Sequence, residues 1–113
     1  MEFDEILAGG RQELRRGTVV LACLLLLRVP GYGYALLDQL RDLGFSVDAN
    51  TLYPLLRRLE TQGALVSQWD TTETRPRKFY QISADGERLA AELLADWDRL
   101  DAAIRRLHQG VRP

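Results

Sequence analysis

The spacing of the apolar residues changes at Gly63, and this change limits the fold more than any other feature of the sequence. Before Gly63, leucines recur every three or four residues, which predicts an amphipathic helix. These residues are Leu52, Leu55, Leu56 and Leu59. After Gly63, residues 65–69 and 79–82 alternate between two sides, which predicts two strands joined by a polar loop over residues 70–76. The chain therefore has to pack a helix against a β-hairpin.

The helix before Gly63 has local signals at both ends. Asp48 is a suitable N-cap, and a glycine just past the last turn is typical of a helix C-terminus, so the helix is predicted to extend from Ala49 to about Gln62 and to stop at Gly63. Pro54 would then lie inside the helix, remove one backbone hydrogen bond and bend the first turns. A helix that began at Leu52 or Tyr53 would instead make Pro54 a favourable first-turn residue. The sequence leaves both alternatives open.

Two shorter helices are predicted ahead of this one. The first has Thr18 as its N-cap and covers the apolar run of residues 18–27, with residues 11–16 as a candidate extension. The PGYG sequence that follows predicts a turn. The second helix covers residues 34–43 and ends at Gly44.

Composition limits the class of protein. A chain of 113 residues that is 46% hydrophobic and 27% charged fits one domain with a modest core. The apolar run of residues 18–27 is about half as long as a membrane span. Residues 1–10 carry acidic side chains where a signal peptide would be basic and then apolar, so we expect a cytoplasmic protein.

Residues that carry chemistry are scarce. The chain has one cysteine, Cys23, inside the apolar run, and one histidine, His108, near its end, so neither a disulfide nor a CxxC-type metal site can form within one chain. No paired carboxylates, Ser/His arrangement or Gly-rich phosphate loop is present. We therefore expect no enzyme activity, no cofactor and no bound metal, and Cys23 is predicted to be a buried apolar residue.

Charge is unevenly distributed along the chain. The whole chain carries a net charge of -1, which argues against an anionic partner. Residues 50–82 nevertheless carry five basic and three acidic side chains, a net charge of +2. Ordinary surface scatter gives such a distribution as readily as a nucleic-acid interface does, so charge alone does not decide.

The order of three helices followed by a hairpin is that of a winged helix-turn-helix. In this fold the third helix takes the recognition position and the hairpin forms the wing. The predicted fold class is mainly α with a small β-hairpin (α+β), with residues 11–82 forming the winged part.

A long helix is predicted to follow the hairpin over residues 83–108. Ser83 can cap it, and apolar residues then recur with alternating spacings of four and three, as in a heptad seam. The seam residues are Leu93, Trp97, Leu100, Ile104 and Leu107. Such a seam would be exposed in a monomer, so the sequence predicts a homodimer. The alternative is that the helix folds back on its own domain.

Three blocks of the sequence resemble the PadR family of bacterial transcriptional regulators, in its short form with a single C-terminal dimerisation helix. The blocks are GYGYALLDQL, NTLYPLLRRLETQGAL with its LYPxLxRLE core, and RPRKFYQIS followed by ADG. The resemblance covers about residues 17–107. Two departures are the loop TTETRP, which lacks the glycine often found there, and the IS pair, where the family usually has leucine followed by threonine.

The resemblance implies a regulator, most commonly a repressor, that binds a palindromic operator in double-stranded DNA as a dimer. Side chains of the third helix would read the major groove, and basic side chains of the wing would contact phosphates or the minor groove. The implied contacts are Asn50, Thr51, Tyr53, Arg57, Arg75, Arg77 and Lys78. Each also has a simpler interpretation, as a solvated helix position, a helix-start residue or a hairpin edge that discourages strand pairing.

Two further alternatives remain open. The family resemblance implies that a small aromatic or drug-like effector could bind near the dimer interface, where Trp97 could stack on it, although packing within the seam is the simpler role for this residue. The acidic net charge also leaves room for a winged-helix module that binds a protein partner in place of DNA.

Overall fold

The structure, a computed structural model that describes residues 1–113, contains five helices and one three-stranded antiparallel sheet. The helices are α1 (Phe3–Arg16), α2 (Val19–Leu26), α3 (Gly33–Asp42), α4 (Ala49–Thr61) and α5 (Ala84–His108). The strands are β1 (Gly31–Tyr32), β2 (Leu65–Asp70) and β3 (Arg77–Ile82). The predicted fold class, mainly α with a small β element, is confirmed. None of the helices combines the length and apolar character that a membrane span requires.

One apolar core joins α2, α3 and α4 to the base of the hairpin. The leucine stripe of α4 is buried as predicted, and Leu52, Leu56 and Leu59 are almost completely excluded from solvent. Leu24 of α2 and Leu65 of β2 belong to the same core. Burial of one such side chain contributes about 1.5–3 kcal/mol, so this core accounts for the relative placement of the helices.

The ends of α4 follow the predicted local signals. Oδ1 of Asp48 accepts a hydrogen bond from the backbone N–H of Thr51 at 2.9 Å, and Gly63 adopts a φ of +83° just past the helix. Because α4 begins at Ala49, the alternative start at Leu52 or Tyr53 is wrong, and Pro54 lies inside the helix on its exposed side. The proline therefore removes an interior donor, as the first alternative required.

The hairpin has the predicted strands and loop, but it belongs to a larger sheet. Strand β3 pairs with β2 from Leu65↔Ile82 to Asp70↔Arg77, and on its other edge it pairs with β1, for which the sequence predicted only a turn. Gly31 and Tyr32 lie opposite Tyr80 and Phe79. A strand of two residues shows no apolar periodicity, so it can be recognised only from its partner.

The N-terminal residues form a helix of their own. Residues 11–16 were predicted only as a candidate extension of the helix over residues 18–27, yet α1 begins at Phe3 and is separated from α2 by Gly17 and Thr18. Two consecutive glycines inside α1 concealed it, because each lowers helix stability by about 1 kcal/mol relative to alanine. Thr18 precedes α2 as predicted, but its hydroxyl donates to the carbonyl of Arg15 at 2.8 Å and does not cap α2.

Helix α5 has the predicted bounds and approaches the rest of the chain closely at its start. Oγ of Ser83 accepts a hydrogen bond from the backbone N–H of Gly86 at 2.9 Å. A Cβ at Gly86 would collide with the carbonyl oxygen of Ala64, so this crossing requires glycine. Ala90 is fully buried. After Leu93, which packs against the core, the seam side chains of the helix are exposed.

Candidate nucleic-acid interface

The face of α4 opposite the buried leucines carries unengaged polar side chains. Asn50, Thr51, Pro54 and Arg57 are all exposed. Because Asp48 supplies the N-cap, the side chains of Asn50 and Thr51 are not needed to start the helix, and neither makes a hydrogen bond within the chain. These two side chains are free to bind a partner.

Two arginines of α4 have no acidic partner. Arg57 and Arg58 are exposed, and neither takes part in any of the ion pairs of the chain. Arg58 is not among the DNA contacts that the family resemblance implies. The absence of an ion pair adds Arg58 to the positive surface of α4, and no local sequence signal could have shown it.

Tyr53 lies between the exposed and buried faces of α4. It is half-buried and packs against the start of α3, where a Cβ at Gly33 would lie 2.5 Å from its Cε1 atom. The missing side chain of Gly33 therefore makes room for the tyrosine ring. The hydroxyl of Tyr53 makes no hydrogen bond within the chain, so the ring is held in place while its polar end stays available.

The hairpin of β2, β3 and the loop 71–76 between them forms the wing, and its lysine is already paired. Nζ of Lys78 lies 2.9 Å from Oε1 of Glu60 at the end of α4, and the same carboxylate accepts a hydrogen bond from Ser67. The hydrogen bonds from Ser67 and Lys78 lower the pKa of Glu60, and the bond to Glu60 raises the pKa of Lys78. The ammonium group of Lys78 therefore stays charged and is already engaged by a carboxylate of the same chain.

Arg77 is held even more extensively. Its Nη1 donates to the hydroxyl of Tyr34 at 2.7 Å, and its Nη2 donates to Oε1 of Glu73 at 2.8 Å. The guanidinium also lies 4.4 Å from the ring centroid of Tyr32, a cation–π geometry. These contacts engage both terminal nitrogens of Arg77, while its Nε is buried without a hydrogen-bond partner.

Arg75 differs from the other two basic residues of the wing. It is exposed in the loop and forms neither an ion pair nor a side-chain hydrogen bond. Three guanidinium groups of α4 and the wing are therefore unpaired, those of Arg57, Arg58 and Arg75. Unpaired guanidinium groups suit phosphate oxygens and guanine edges, because no internal ion pair has to be broken first.

The end of α5 carries a separate apolar surface. The side chains of Trp97, Leu100, Ile104 and Leu107 are 44%, 65%, 64% and 43% exposed. The alternative that this helix folds back on its own domain is therefore wrong. Leu93 was predicted as part of the seam, but it packs against the core of its own chain, so the free part of the seam begins at Trp97.

Potential reactive groups do not form a second site. Cys23 is fully buried as predicted, and burial raises the pKa of its thiol to about 12. His108 is exposed at the end of α5. No group of three or more histidine, cysteine, aspartate or glutamate side chains is arranged to hold a metal ion.

The helix pair α3–α4, followed by a wing against the end of α4, defines the winged helix-turn-helix class of proteins. Within that class, residues 20–92 match the family described as the transcriptional regulator PadR-like family. The chain belongs to this family of transcriptional regulators, and the resemblance read from the sequence is confirmed.

Individual relatives agree with this assignment. A PadR family transcriptional regulator from Eggerthella lenta is 47% identical, with a TM-score of 0.88, and the match covers 93% of this chain and 94% of that one. A transcriptional regulator from Clostridium thermocellum is 28% identical, with a TM-score of 0.76, and covers 83% of this chain and 96% of that one.

A curated relative matches over a shorter stretch. Transcriptional regulator Rv3488 of Mycobacterium tuberculosis is 36% identical over 61 residues, which are 54% of this chain. The matched segment spans 57% of the length of that relative.

Proposed function

We propose that this chain is a sequence-specific DNA-binding regulator that binds a palindromic operator as a homodimer. The observation that carries this proposal is the exposed face of α4, where Arg57 and Arg58 have no acidic partner and Asn50 and Thr51 make no internal hydrogen bond. A helix in the recognition position that offers free donors fits the major groove, where base edges and phosphates accept hydrogen bonds.

The proposed contacts divide between α4 and the wing. Asn50, Thr51, Tyr53 and Arg57 would face the major groove, and Arg75 would contact a phosphate or the minor groove. Arg77 and Lys78 would reach DNA only by giving up the ion pairs described above. The direct contact of the wing is therefore assigned to Arg75.

The exposed seam of α5 supports the homodimer. Four apolar side chains recur at heptad spacing from Trp97 to Leu107 without a partner in the chain. In a parallel or antiparallel pair of α5 helices these side chains would be removed from water. A dimer would also present two copies of α4, which matches a palindromic operator whose half-sites lie about one DNA turn apart.

Helix α1 gives independent support for the dimer. It has no buried residue, it contains Gly9 and Gly10, and it exposes the apolar side chains of Phe3, Ile6 and Leu14. Helix α1 has 14 residues, and an isolated helix of about this length or shorter is marginal in water even with good helix formers. Packing of α1 against a second chain would supply the burial that α1 lacks in the monomer.

Repression and release by a small aromatic effector are the finer parts of the proposal. Repression is proposed because the family resemblance implies it as the more common outcome of operator binding. Trp97 is the proposed effector contact, because its indole is partly exposed at the start of the free seam. Quenching of Trp97 fluorescence by a candidate compound, absent in a Trp97→Phe variant, would support this role, with Trp69 as the background signal.

Matched arginine variants test the DNA-binding proposal. Fluorescence anisotropy with a duplex selected by the protein should show weaker binding for Arg57→Ala and Arg75→Ala. Arg112→Ala is the control, because Arg112 is also exposed and unpaired but lies beyond α5. Equal losses in all three variants would indicate a nonspecific charge effect and contradict the assigned contacts. If the winged helix binds a protein partner in place of DNA, neither Arg57→Ala nor Arg75→Ala should lower the affinity for the duplex.

A further inference from the structure

The outer face of the sheet carries a group of polar and aromatic side chains that the proposed DNA contacts do not use. Tyr32 lies opposite Phe79, and Asp70 lies opposite Arg77, so these four side chains emerge on the same side of the sheet. Lys78 and Tyr80 alternate with them and lie on the opposite side, where Lys78 meets Glu60 and Tyr80 joins the core.

We propose that Tyr32, Asp70 and Arg77 form a positioning cluster, here called the wing-base cluster, that holds loop 71–76 in one geometry and so places Arg75 against DNA. The inference rests on the proposed function, because it assigns the placement of one proposed DNA contact. It gives Arg77 a role that acts through another residue, in place of the direct contact expected from the sequence.

The wing-base cluster attaches both ends of the loop to the start of α3. The hydroxyl of Tyr32 donates to Oδ2 of Asp70, the last residue of β2, at 2.6 Å. The ring of Tyr32 supports the guanidinium of Arg77, the first residue of β3, and Arg77 in turn donates to Tyr34 on α3. The rings of Tyr32 and Tyr34 are stacked, with centroids 5.7 Å apart and planes within 4°.

Contacts from the cluster extend into the loop itself. Oδ1 of Asp70 accepts hydrogen bonds from the backbone N–H of Thr72 at 3.0 Å and from its hydroxyl at 2.6 Å. Arg77 binds Glu73 from the other side of the loop. Arg75 lies between these attachment points and the start of β3. The loop contains no glycine, so its backbone has few conformations that keep all of these bonds.

The wing-base cluster lies outside the hydrophobic core, which makes a positioning role testable. Tyr32, Asp70 and Arg77 are partly buried, so the hydrogen bond from Tyr32 to the Asp70 carboxylate also contributes to global stability. A Tyr32→Phe variant keeps the ring beneath Arg77 and loses only the hydroxyl that holds Asp70. We therefore expect Tyr32→Phe to fold with a slightly lower melting temperature while the loop loses its fixed geometry, so DNA binding is compared well below that temperature.

A double-mutant cycle on DNA provides the test. Arg75→Ala should lower affinity for a selected duplex by about tenfold and reduce the salt slope by about one phosphate contact. Tyr32→Phe should cause a similar loss, and the double variant should bind no more weakly than Arg75→Ala alone. Tyr32→Phe combined with Arg57→Ala is the control, and these two losses should add.

The outcomes separate the inference from the proposed function. If wild-type protein binds the duplex and the losses of Tyr32→Phe and Arg75→Ala add fully, the positioning role is wrong while DNA binding stands. If wild-type protein binds no selected duplex, both proposals are contradicted.

A second measurement needs no DNA. Hydrogen exchange of the Thr72 amide should accelerate in Tyr32→Phe, because Asp70 loses the bond that orients it. Unchanged exchange at Thr72 would overturn the positioning role.

Discussion

The ammonium nitrogen of Lys78 lies 2.9 Å from Oε1 of Glu60, so the only lysine of the chain connects the wing to the end of α4. Ser67 on β2 donates to the same carboxylate. This three-residue contact links the two elements that are proposed to face DNA. The contact therefore fixes the position of the wing relative to α4 in the free protein, before any partner binds.

Glu60→Gln should lower the free energy of unfolding by about 1 kcal/mol at neutral pH, because the bond with Lys78 loses its charge on one side. The pKa of Glu60 is depressed below its ordinary value of 4.5, so its contribution is present above that value and is lost as the pH falls. Urea titrations of both proteins across pH should therefore show a difference that narrows in acid. Glu92→Gln, at an exposed unpaired site, is the control.

A difference between wild-type protein and Glu60→Gln that stays constant down to about pH 3 would contradict this account, because the contribution of Glu60 should fall once the pH is below the ordinary carboxyl pKa of 4.5.

Pro54→Ala should stabilise the protein and weaken DNA binding. The alanine N–H could donate to the carbonyl of Asn50, which restores the interior helix bond, and removal of an interior proline is worth up to about 3 kcal/mol. The affinity should fall because Pro54 lies on the exposed face of α4 and shapes the approach of its first turns to the groove. Thermal melts and anisotropy on the same samples measure both effects.

Thr61→Ala, at the far end of α4, is the matched control for Pro54→Ala and should change DNA affinity little. A rise in melting temperature with unchanged affinity would show that the proline is tolerated and is not a fitted part of the surface.

Ile104→Lys should disrupt the dimer. Ile104 is exposed in the monomer at a core position of the seam, and a charge there would be buried without a partner in the pair of helices. Sedimentation velocity at micromolar concentration should show a dimer for wild-type protein and a monomer for the variant. Ala102→Lys, at an exposed position on the opposite side of the heptad, should remain dimeric. A wild-type monomer would contradict the proposed dimer.

Cys23 should be unreactive in the folded protein. Burial raises the pKa of its thiol to about 12, so almost none is present as the reactive thiolate near neutral pH. A chromogenic thiol reagent should react slowly with native protein and at once after addition of urea. A Ser46→Cys variant, which places a second cysteine at an exposed site, should react with one equivalent immediately. Rapid reaction of native wild-type protein would indicate that Cys23 is accessible.

Elements that depend on short-range interactions were predicted more accurately from the sequence than elements that depend on distant residues. Helices α4 and α5 were predicted with nearly correct bounds because Asp48 and Ser83 cap them locally and their apolar periods are long. Helix α1 was mostly missed because none of its residues is buried against the rest of the chain and two glycines interrupt it. Strand β1 was missed because only its pairing with β3 defines it.

The sequence predicted which basic residues belong to the candidate site, but not which of them are held by other side chains of the chain. The sequence gathers Arg75, Arg77 and Lys78 in the wing as three equivalent basic residues. The structure distinguishes them, because Lys78 meets Glu60, which is 18 positions away, and Arg77 meets Tyr34, which is 43 positions away. Such long-range pairs leave no periodic signal, so the special position of Arg75 and the wing-base cluster could be recognised only from the fold.

The most direct test of the central proposal is selection of duplexes from a genomic fragment pool by purified wild-type protein, followed by anisotropy on the selected duplex at several salt concentrations. The account predicts a palindrome with half-sites about one helical turn apart and an affinity that falls steeply as salt rises. No enrichment over random DNA, or binding that is independent of salt, would contradict a dimeric sequence-specific DNA-binding regulator.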